Sequence, residues 1–572
     1  MPMMDRKGVA VTLERIAAYL ELQGENPFRV RAFRTAEKTV EGFPSELQTA
    51  IADGSLAEAK GIGPAILEVI TELVNTGRSS MLEELREAVP PGLVEMLAIS
   101  GLGVAKIRQI HNALGIETLP ELEAAARDGR LAALPRFGAR TADNVLKGIA
   151  FLRAASVWRL AHHARDEALA IADALSAQPH VLAVHPAGAV RRRDEVVQEQ
   201  ILVVVADVAP AEVFRSIGAG VGVTEVAGQD ERRATLRFQG GAPVQVVVTP
   251  PQNLGAVLVQ ATGNAGHLAR LTALAESRGY TLAGTALWQG SRFVPTPDED
   301  ALYGALGLPW IPPELRENGD ELDRPIPPLL ERKSLRGFLH CHTTYSDGTN
   351  SVEELARGVH AAGYEWLGIT DHSRSAAYAG GMQPDDIHRQ WDEIDAVNAL
   401  GLGITVFKGI ESDILADGAL DYPDELLAGF DFIIASVHSR FTMSEPEMTS
   451  RFLRAIESPY VTLIGHPTGR LLLAREGYAV DLDRLFEAAG KAGVGIEINA
   501  DPHRLDLDWR VLRRARAAGV MISIGADAHN LGGLDNVDFG VAIARKGGLG
   551  APDILNTRSA EEFLAFARTR RP

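Results

Sequence analysis

A chain of 572 residues is too long for one ordinary domain and implies about three to five. Its 46% apolar content is ample for packed cores, which excludes a chain that stays unfolded for want of them. The net charge of −18 argues against nucleic-acid binding by the surface as a whole, so such a role needs a local basic face.

The first 155 residues read as mostly helical. Val9 to Leu22 places apolar residues at helical spacing, and Asn26-Pro27-Phe28 breaks the pattern. Arg29, Arg31, Arg34 and Lys38 follow, interleaved with Phe28, Val30 and Phe33. Such a face suits DNA phosphates and sugars, and equally a solvated helix. Lys60-Gly61-Ile62-Gly63 opens one helical run and Ser100-Gly101-Leu102-Gly103, followed by Lys106, opens another. Pro135-Arg136-Phe137-Gly138 opens a third in weakened form. A small-residue turn leading into a helix exposes backbone N–H groups that attract a phosphate. Their recurrence at roughly 35–40 residues suggests repeated units.

These three turns resemble helix-hairpin-helix units, and Asn26 to Arg34 resembles the opening motif of family X DNA polymerases. The resemblance implies sequence-independent binding of gapped or nicked DNA through Arg29, Arg31, Arg34, Lys60, Gly61, Gly63, Gly101, Gly103 and Lys106. Family members with deoxyribose-phosphate lyase activity carry a lysine in the helix after the first hairpin. Ala65 to Glu72 has none, so that activity is not expected here.

Residues 156–315 alternate apolar strands with helices: Val181–Val184, Ile201–Val205, Ala234–Phe238 and Val244–Val248 read as strands. Gly188, Arg191, Arg192 and Glu195 match the palm motif of nucleotidyltransferases, and Thr262-Gly263-Asn264 with Ile311 to Glu317 resembles a family X thumb. The family's palm holds magnesium or manganese on two aspartates in Gly-Asp-x-Asp and a third from a neighbouring strand. Here Glu199, Ile201 and Gln245 stand at those positions, so the palm is expected to be degenerate and polymerase activity poor. Glu195 or Asp194 moving in as substitute ligands, with manganese, would keep gap filling as an alternative, and Arg191 to Arg193 would touch phosphates.

In the C-terminal part, short apolar strands end repeatedly in metal-ligand residue types. Phe338-Leu339 runs into His340, Cys341 and His342, with Asp347 within eight residues of His340. Strand alternation puts both histidines on one face and Cys341 on the other. Trp366–Thr370 ends in Asp371-His372, Ile404–Ile410 in Glu411, Phe432–Val437 in His438, Val461–Gly465 in His466, and Val520–Ala526 in Asp527 and His529. Helical patterns at Val352–Ala362 and Leu482–Ala492 lie between, which argues a parallel sheet or barrel whose ligands gather at the carboxyl ends of the strands. Imidazole and carboxylate together suit divalent manganese, zinc or iron.

His340-x-His342, Asp371-His372, Glu411, His438, His466 and Asp527-x-His529 match the PHP (polymerase and histidinol phosphatase) family motifs over about residues 334–572. That family implies a distorted (β/α)7 barrel with up to three metals on nine ligands: His340, His342, Asp347, His372, Glu411, His438, His466, Asp527 and His529. Asp371 is expected to orient His372, or merely to cap its strand, and Arg504 to meet a substrate phosphate or form a surface ion pair.

The chain thus resembles a bacterial family X DNA polymerase with a C-terminal PHP domain, a multidomain α+β and α/β protein. Its expected divisions are a helical DNA-binding domain at 1–80, a fingers-like helical domain at 81–155, a palm at 156–255, a thumb at 256–318, a linker at 319–333 and the PHP domain at 334–572. The implied function is DNA repair, with metal-dependent 3′–5′ exonuclease or phosphoesterase action on DNA ends. The alternatives are an active gap-filling polymerase using deoxynucleotide triphosphates, a non-catalytic DNA-binding scaffold, and a small-molecule phosphatase. The single cysteine, Cys341, rules out an intramolecular disulfide and fits the cytoplasm. No apolar run reaches the ~18 residues of a membrane span, and the first residues lack the apolar core of a signal peptide.

Overall fold

The computed structural model describes residues 6–572 except 42, 44–46, 100, 156, 221, 229, 239–241 and 284. The first five residues, part of the signal-peptide reading, and Ser100 of the second hairpin lie outside the described residues. The chain divides into two compact units, one of residues 1–156 with the short pieces 473–475 and 529–532, the other of the remainder.

The first unit is helical. Its main helices are α1 (Arg6–Gln23), α2 (Pro27–Glu41), α3 (Pro64–Thr76), α4 (Val104–Leu114) and α5 (Ala139–Ala155). Asn26 opens α2: its side-chain oxygen accepts from Phe28 N at 2.9 Å, and Pro27 gives up a donor the first turn cannot use. Leu13, Ile16 and Leu20 of α1, Phe33 of α2, Ile70 and Leu73 of α3, and Ile107 and Ile110 of α4 share one core. The helical spacing of these residues, not their propensity, fixes the bundle.

The second unit begins with a five-stranded sheet. Its strands are β1 (Val181–Pro186), β2 (Gln200–Ala206), β3 (Val223–Gly228), β4 (Arg233–Phe238) and β5 (Val244–Thr249), in the order β1-β2-β5-β4-β3. Only the central pair β2 and β5 is parallel, with Ile201 opposite Gln245. β3 is not among the expected strands; half of its residues are half-exposed and the other half exposed, which leaves a weak apolar signal. A three-stranded antiparallel sheet follows: β6 (Tyr280–Ala283), β7 (Ala286–Gln289) and β8 (Arg292–Val294).

Seven parallel strands then close a barrel in chain order. They are β9 (Gly337–Cys341), β10 (Trp366–Ile369), β11 (Thr405–Asp413), β12 (Phe432–Ser436), β13 (Leu463–Ile464), β14 (Gly495–Asn499) and β15 (Ile522–Ala528), and β15 pairs back onto β9. Crossover helices include α6 (Val352–Ala361), α7 (Leu482–Ala492) and α8 (Trp509–Ala517), followed by α9 (Val537–Lys546) after the last strand. Ser351 and Glu354 form a reciprocal cap on α6, and Asp481 caps α7. The barrel strands are mostly buried, and the acids and histidine within them, His340, Glu411, Asp413, Glu497 and Asp527, cluster together, whereas Lys408 of β11 pairs with Asp395.

Candidate metal centre and palm

The barrel gathers imidazoles and carboxylates around Glu411. Its carboxylate oxygens lie 2.9 Å from His466 Nε2, 2.9 Å from His372 Nδ1, 3.3 Å from His438 Nε2, 3.4 Å from His340 Nε2 and 3.9 Å from His342 Nε2. Asp527 Oδ1 approaches His342 Nε2 at 3.2 Å and His340 Nε2 at 3.7 Å, and Asp347 Oδ1 lies 3.7 Å from His372 Nε2. Four overlapping groups have donor atoms within 4.8 Å of one another: His342, Asp347, His372 and His529; His340, His466 and Asp527; His340, His342 and Glu411; His372, Glu411 and His438. Together they comprise the nine expected ligands and, among the described residues, no others.

The residues fit a set of cations. His340 Nε2 and Glu411 Oε2 are buried and make no hydrogen bond, although charged groups crowd them. A buried polar atom without a partner is costly unless an ion meets it. Burial alone would raise the Glu411 carboxyl, yet His438, His340 and His372 hold it well below the usual carboxylate range. Burial alone would lower His340, but Glu497, Glu411 and Asp527 lift it far above the usual imidazole range. Backbone strain collects at the same place: His340 and Asp527 have φ of 60° and 50°, a region that side chains normally avoid.

Three polar residues not foreseen hold the cluster. Glu497 of β14 accepts from His340 Nδ1 and, at 2.8 Å, from His466 N. This turns His340 Nε2 inward. Gly525 makes the room, since a Cβ there would lie 1.8 Å from Glu497 Oε1. Asn499 donates to Asp527 at 3.0 Å, and Asp413 Oδ1 sits 3.3 Å from His438 Nδ1. The signal was present in Val494-Gly-Ile-Glu-Ile-Asn-Ala500, an alternating strand with a carboxylate in mid-run, and in Glu411-Ser-Asp413, a strand continued two residues past Glu411.

One placement differs from expectation, that of Asp371. Asp371 does not support His372. It accepts from Thr343 N and Oγ1 at 2.8 and 2.7 Å, from Ser346 N and Oγ at 3.1 and 2.5 Å, and from Gln390 at 2.6 Å. The reason is directional: adjacent residues of an extended chain project oppositely, so Asp371 and His372 cannot share a target. It therefore fixes the loop between His342 and Asp347. Arg504 is not at the open surface; its Nε lies 3.4 Å from Asp527 Oδ2 with a fifth of the side chain exposed. Cys341 is buried with its thiol at the Gly368 carbonyl, and burial and Asp371 push that thiol well up.

In the five-stranded sheet, Glu199, Ile201 and Gln245 line one cavity of about 360 Å³ together with Gly188, Arg192 and Gln260. Gln245 Nε2 donates to Glu199 at 3.3 Å, and Ile201 packs against Gly188. The substitute carboxylates are committed elsewhere. Asp194 pairs with Arg192 at 2.5 Å and Lys546 at 2.7 Å, and Glu195 is held by Arg470 and Arg510. Arg191 is bound bidentately to Glu299, and Arg192 reaches the Thr262 carbonyl at 2.8 Å, so both guanidinium groups, expected to contact phosphates, are held here by protein partners.

In the helical unit, Gly61 and Gly101 take φ of 90° and 84°, and Gly63 and Gly103 cap α3 and α4. In the third turn Arg136 holds the left-handed position with φ 67°. Lys106 donates to the Gly101 carbonyl at 2.7 Å and so braces its own hairpin. Lys60 contributes its carbonyl, which accepts from Thr39 at 2.9 Å. Arg34 pairs with Glu21 at 2.7 Å and Glu14 at 3.4 Å, Arg29 with Glu25 at 3.6 Å, and Arg31 lies over the exposed Phe28 ring.

Family models match in the same order along the chain: a helix-hairpin-helix domain over residues 4–79, a SAM-like helix-hairpin-helix tandem over 93–150, a DNA polymerase beta thumb over 257–317 and a PHP domain over 339–501. The DNA polymerase/3'-5' exonuclease PolX of Bacillus subtilis (strain 168) is 34% identical over 571 residues, covering 99% of this chain and 100% of that protein. The chain belongs to the family X DNA polymerases that carry a PHP domain. Shorter relatives match only the PHP part. A probable phosphatase of Caldanaerobacter subterraneus is 32% identical over 176 residues, 29% of this chain and 64% of that protein. One of Acetivibrio thermocellus is 30% identical over 166 residues, 28% of this chain and 63% of that protein. Family membership accounts for the order of the modules and for the metal dependence of the barrel. No helix among the described residues is long and apolar enough to cross a membrane.

Proposed function

We propose that this protein trims DNA ends by metal-dependent phosphodiester cleavage, working 3′ to 5′ in the barrel, with residues 1–155 holding gapped or nicked duplex. The observation that carries the reading is the convergence of nine ligand-type side chains, with donor atoms within 4.8 Å in overlapping groups, in a chain similar throughout to a polymerase/exonuclease. Bound there, manganese, zinc or iron would polarise the scissile phosphate and activate water. The chain's own residues do the rest. Glu497 and Asp413 orient His340 and His438, Asp371 fixes the Thr343–Ser346 loop, and Arg504 offers a guanidinium to a phosphate beside Asp527.

A second reading is gap-filling synthesis, favoured by the cavity at Glu199 and by the name of the full-length relative. One carboxylate in place of three makes it the weaker activity, better supported by manganese than by magnesium. The small-molecule phosphatase reading accounts for the barrel and leaves the helical unit unused.

The test is nuclease and primer-extension assay of the full chain on gapped DNA, with magnesium, manganese, zinc and iron in turn. Metal-dependent release of 3′ nucleotides is expected. Replacing His340 and His342 together by alanine should cut that release by more than about 100-fold while DNA affinity stays within about twofold. Undiminished cleavage in the double variant would defeat the reading.

A further inference from the structure

Glu195 belongs by sequence to the palm motif, yet both of its carboxylate oxygens are spent on the barrel. The residue is 5% exposed. One oxygen accepts from Arg470 Nη2 and the other, at 3.0 Å, from Arg510 Nη1. Arg470 does not stop there. Its Nε donates to the Arg504 carbonyl at 3.0 Å, its Nη2 also to the Leu505 carbonyl, and its Nη1 to Asp508 at 2.9 Å. Four residues before Arg470 stands the ligand-type His466, and between them Thr468 N donates to Asp506 at 3.0 Å. The segment so gripped carries Arg504, whose Nε faces Asp527 at 3.4 Å. Leu505 sits at φ 43°, a strained conformation that persists only where neighbours impose it.

The neighbouring palm residue is tied in the same way. Lys546 of α9 is 1% exposed and takes Asp194 at 2.7 Å, Glu317, and the Arg192 carbonyl at 3.2 Å. A buried ammonium is tolerated only with such partners. This second grip anchors the palm turn itself, so that Glu195 meets Arg470 from a fixed base.

We infer that Glu195 is a positioning residue for the barrel site: it clamps Arg470 and Arg510, and through Arg470 it holds the 504–506 backbone so that Arg504 is presented to a substrate phosphate beside Asp527. The inference rests on the nuclease reading above. It assigns the palm motif a task independent of nucleotide addition. It also explains why Glu195 is unavailable to replace the palm carboxylates: drawing it toward the Glu199 cavity would leave Arg470, which is nearly buried, and Arg510 to share Asp508.

Mere domain adhesion predicts a loss of stability alone, and the two roles separate experimentally. In the full chain, Glu195→Gln should lower kcat for release of the 3′ nucleotide by roughly tenfold, because a full ångström of displacement at a positioned group costs up to about 100-fold and the remaining contacts of Arg470 limit the shift to less. In an Arg504→Ala background the same substitution should cost less than about twofold, since the group it positions is gone. On metal-free full-length protein, hydrogen exchange should speed up at the amides of Thr468, Leu505 and Asp506 in Glu195→Gln and stay unchanged in α6. Arg510→Gln, made at an arginine with an exposed side chain, removes half the clamp at little risk to folding and should give an intermediate loss. Equal losses in both backgrounds, or native kcat with native exchange at 468 and 505–506, would overturn the inference. A native protein that cleaves no DNA end in any metal would instead defeat the nuclease reading, while the exchange result would still decide whether Glu195 holds the segment.

Discussion

Glu411 shows how a single side chain can organise a site. Five imidazole nitrogens lie within 4 Å of its two oxygens, so its carboxylate stays ionised against the pull of burial. Which nitrogen each histidine turns inward depends on the partner of its other nitrogen. For His340 that partner is Glu497, and for His438 it is Asp413, 3.3 Å from Nδ1. Asp413→Asn keeps the shape but loses the charge that holds the ring. The expected outcome is about 10–100-fold weaker manganese dependence of cleavage, with the melting temperature within about 3 °C of native. Titration of activity with manganese checks it, and a native midpoint would show that Asp413 does not orient His438. The nine ligand-type residues were legible because histidine and acid recur where apolar strands end. Their supports were harder to see, since Glu497 and Asn499 lie inside a strand whose residues give no punctuation.

Among elements, the barrel strands were legible from apolar runs, and β14 escaped because no histidine closes it. The helical hairpins were legible from glycine spacing, and the conformations explain why: Gly61 and Gly101 occupy the left-handed region. What sequence could not show was partner choice. Arg191 reads as a phosphate contact, yet with Arg316 it grips Glu299, in the helix Glu299–Ala305, through four hydrogen bonds of 2.5 to 2.9 Å. Burial would raise that carboxyl, but Arg316 and Arg191 hold it down to about 2. The unfolded value is near 4.5, so the joint's contribution is complete above that pH and fades as pH falls toward about 2. Glu299→Gln should therefore cost about 3 kcal/mol at pH 7 and under about 1.5 kcal/mol at pH 3, measured by urea unfolding of both proteins at each pH. An equal cost at the two pH values would mean that the ion pairs contribute nothing and packing alone is lost.

At the scale of the whole molecule, the two chemical halves are unequally equipped. The barrel brings together nine ligand-type side chains, whereas the five-stranded sheet offers Glu199 next to Ile201 and Gln245. Ile201 provides no oxygen, and its side chain fills the space beside Gly188. Gln245 provides at best a neutral carbonyl, and its amide already donates to Glu199. Magnesium needs near-ideal octahedral oxygen geometry and gives up water reluctantly, so one carboxylate should hold it poorly, and manganese somewhat better. The two nearby acids that might compensate are bound to Arg470, Arg510, Arg192 and Lys546. The measurement is primer extension across a one-nucleotide gap, in a protein whose barrel is silenced by alanine at His340 and His342. Extension in magnesium should fall below detection, and in manganese a slow reaction should appear that Glu199→Ala removes. Robust magnesium-dependent extension, lost in Glu199→Ala, would show that one carboxylate suffices and that synthesis is a principal activity. Extension that survives Glu199→Ala would place the reaction outside this cavity.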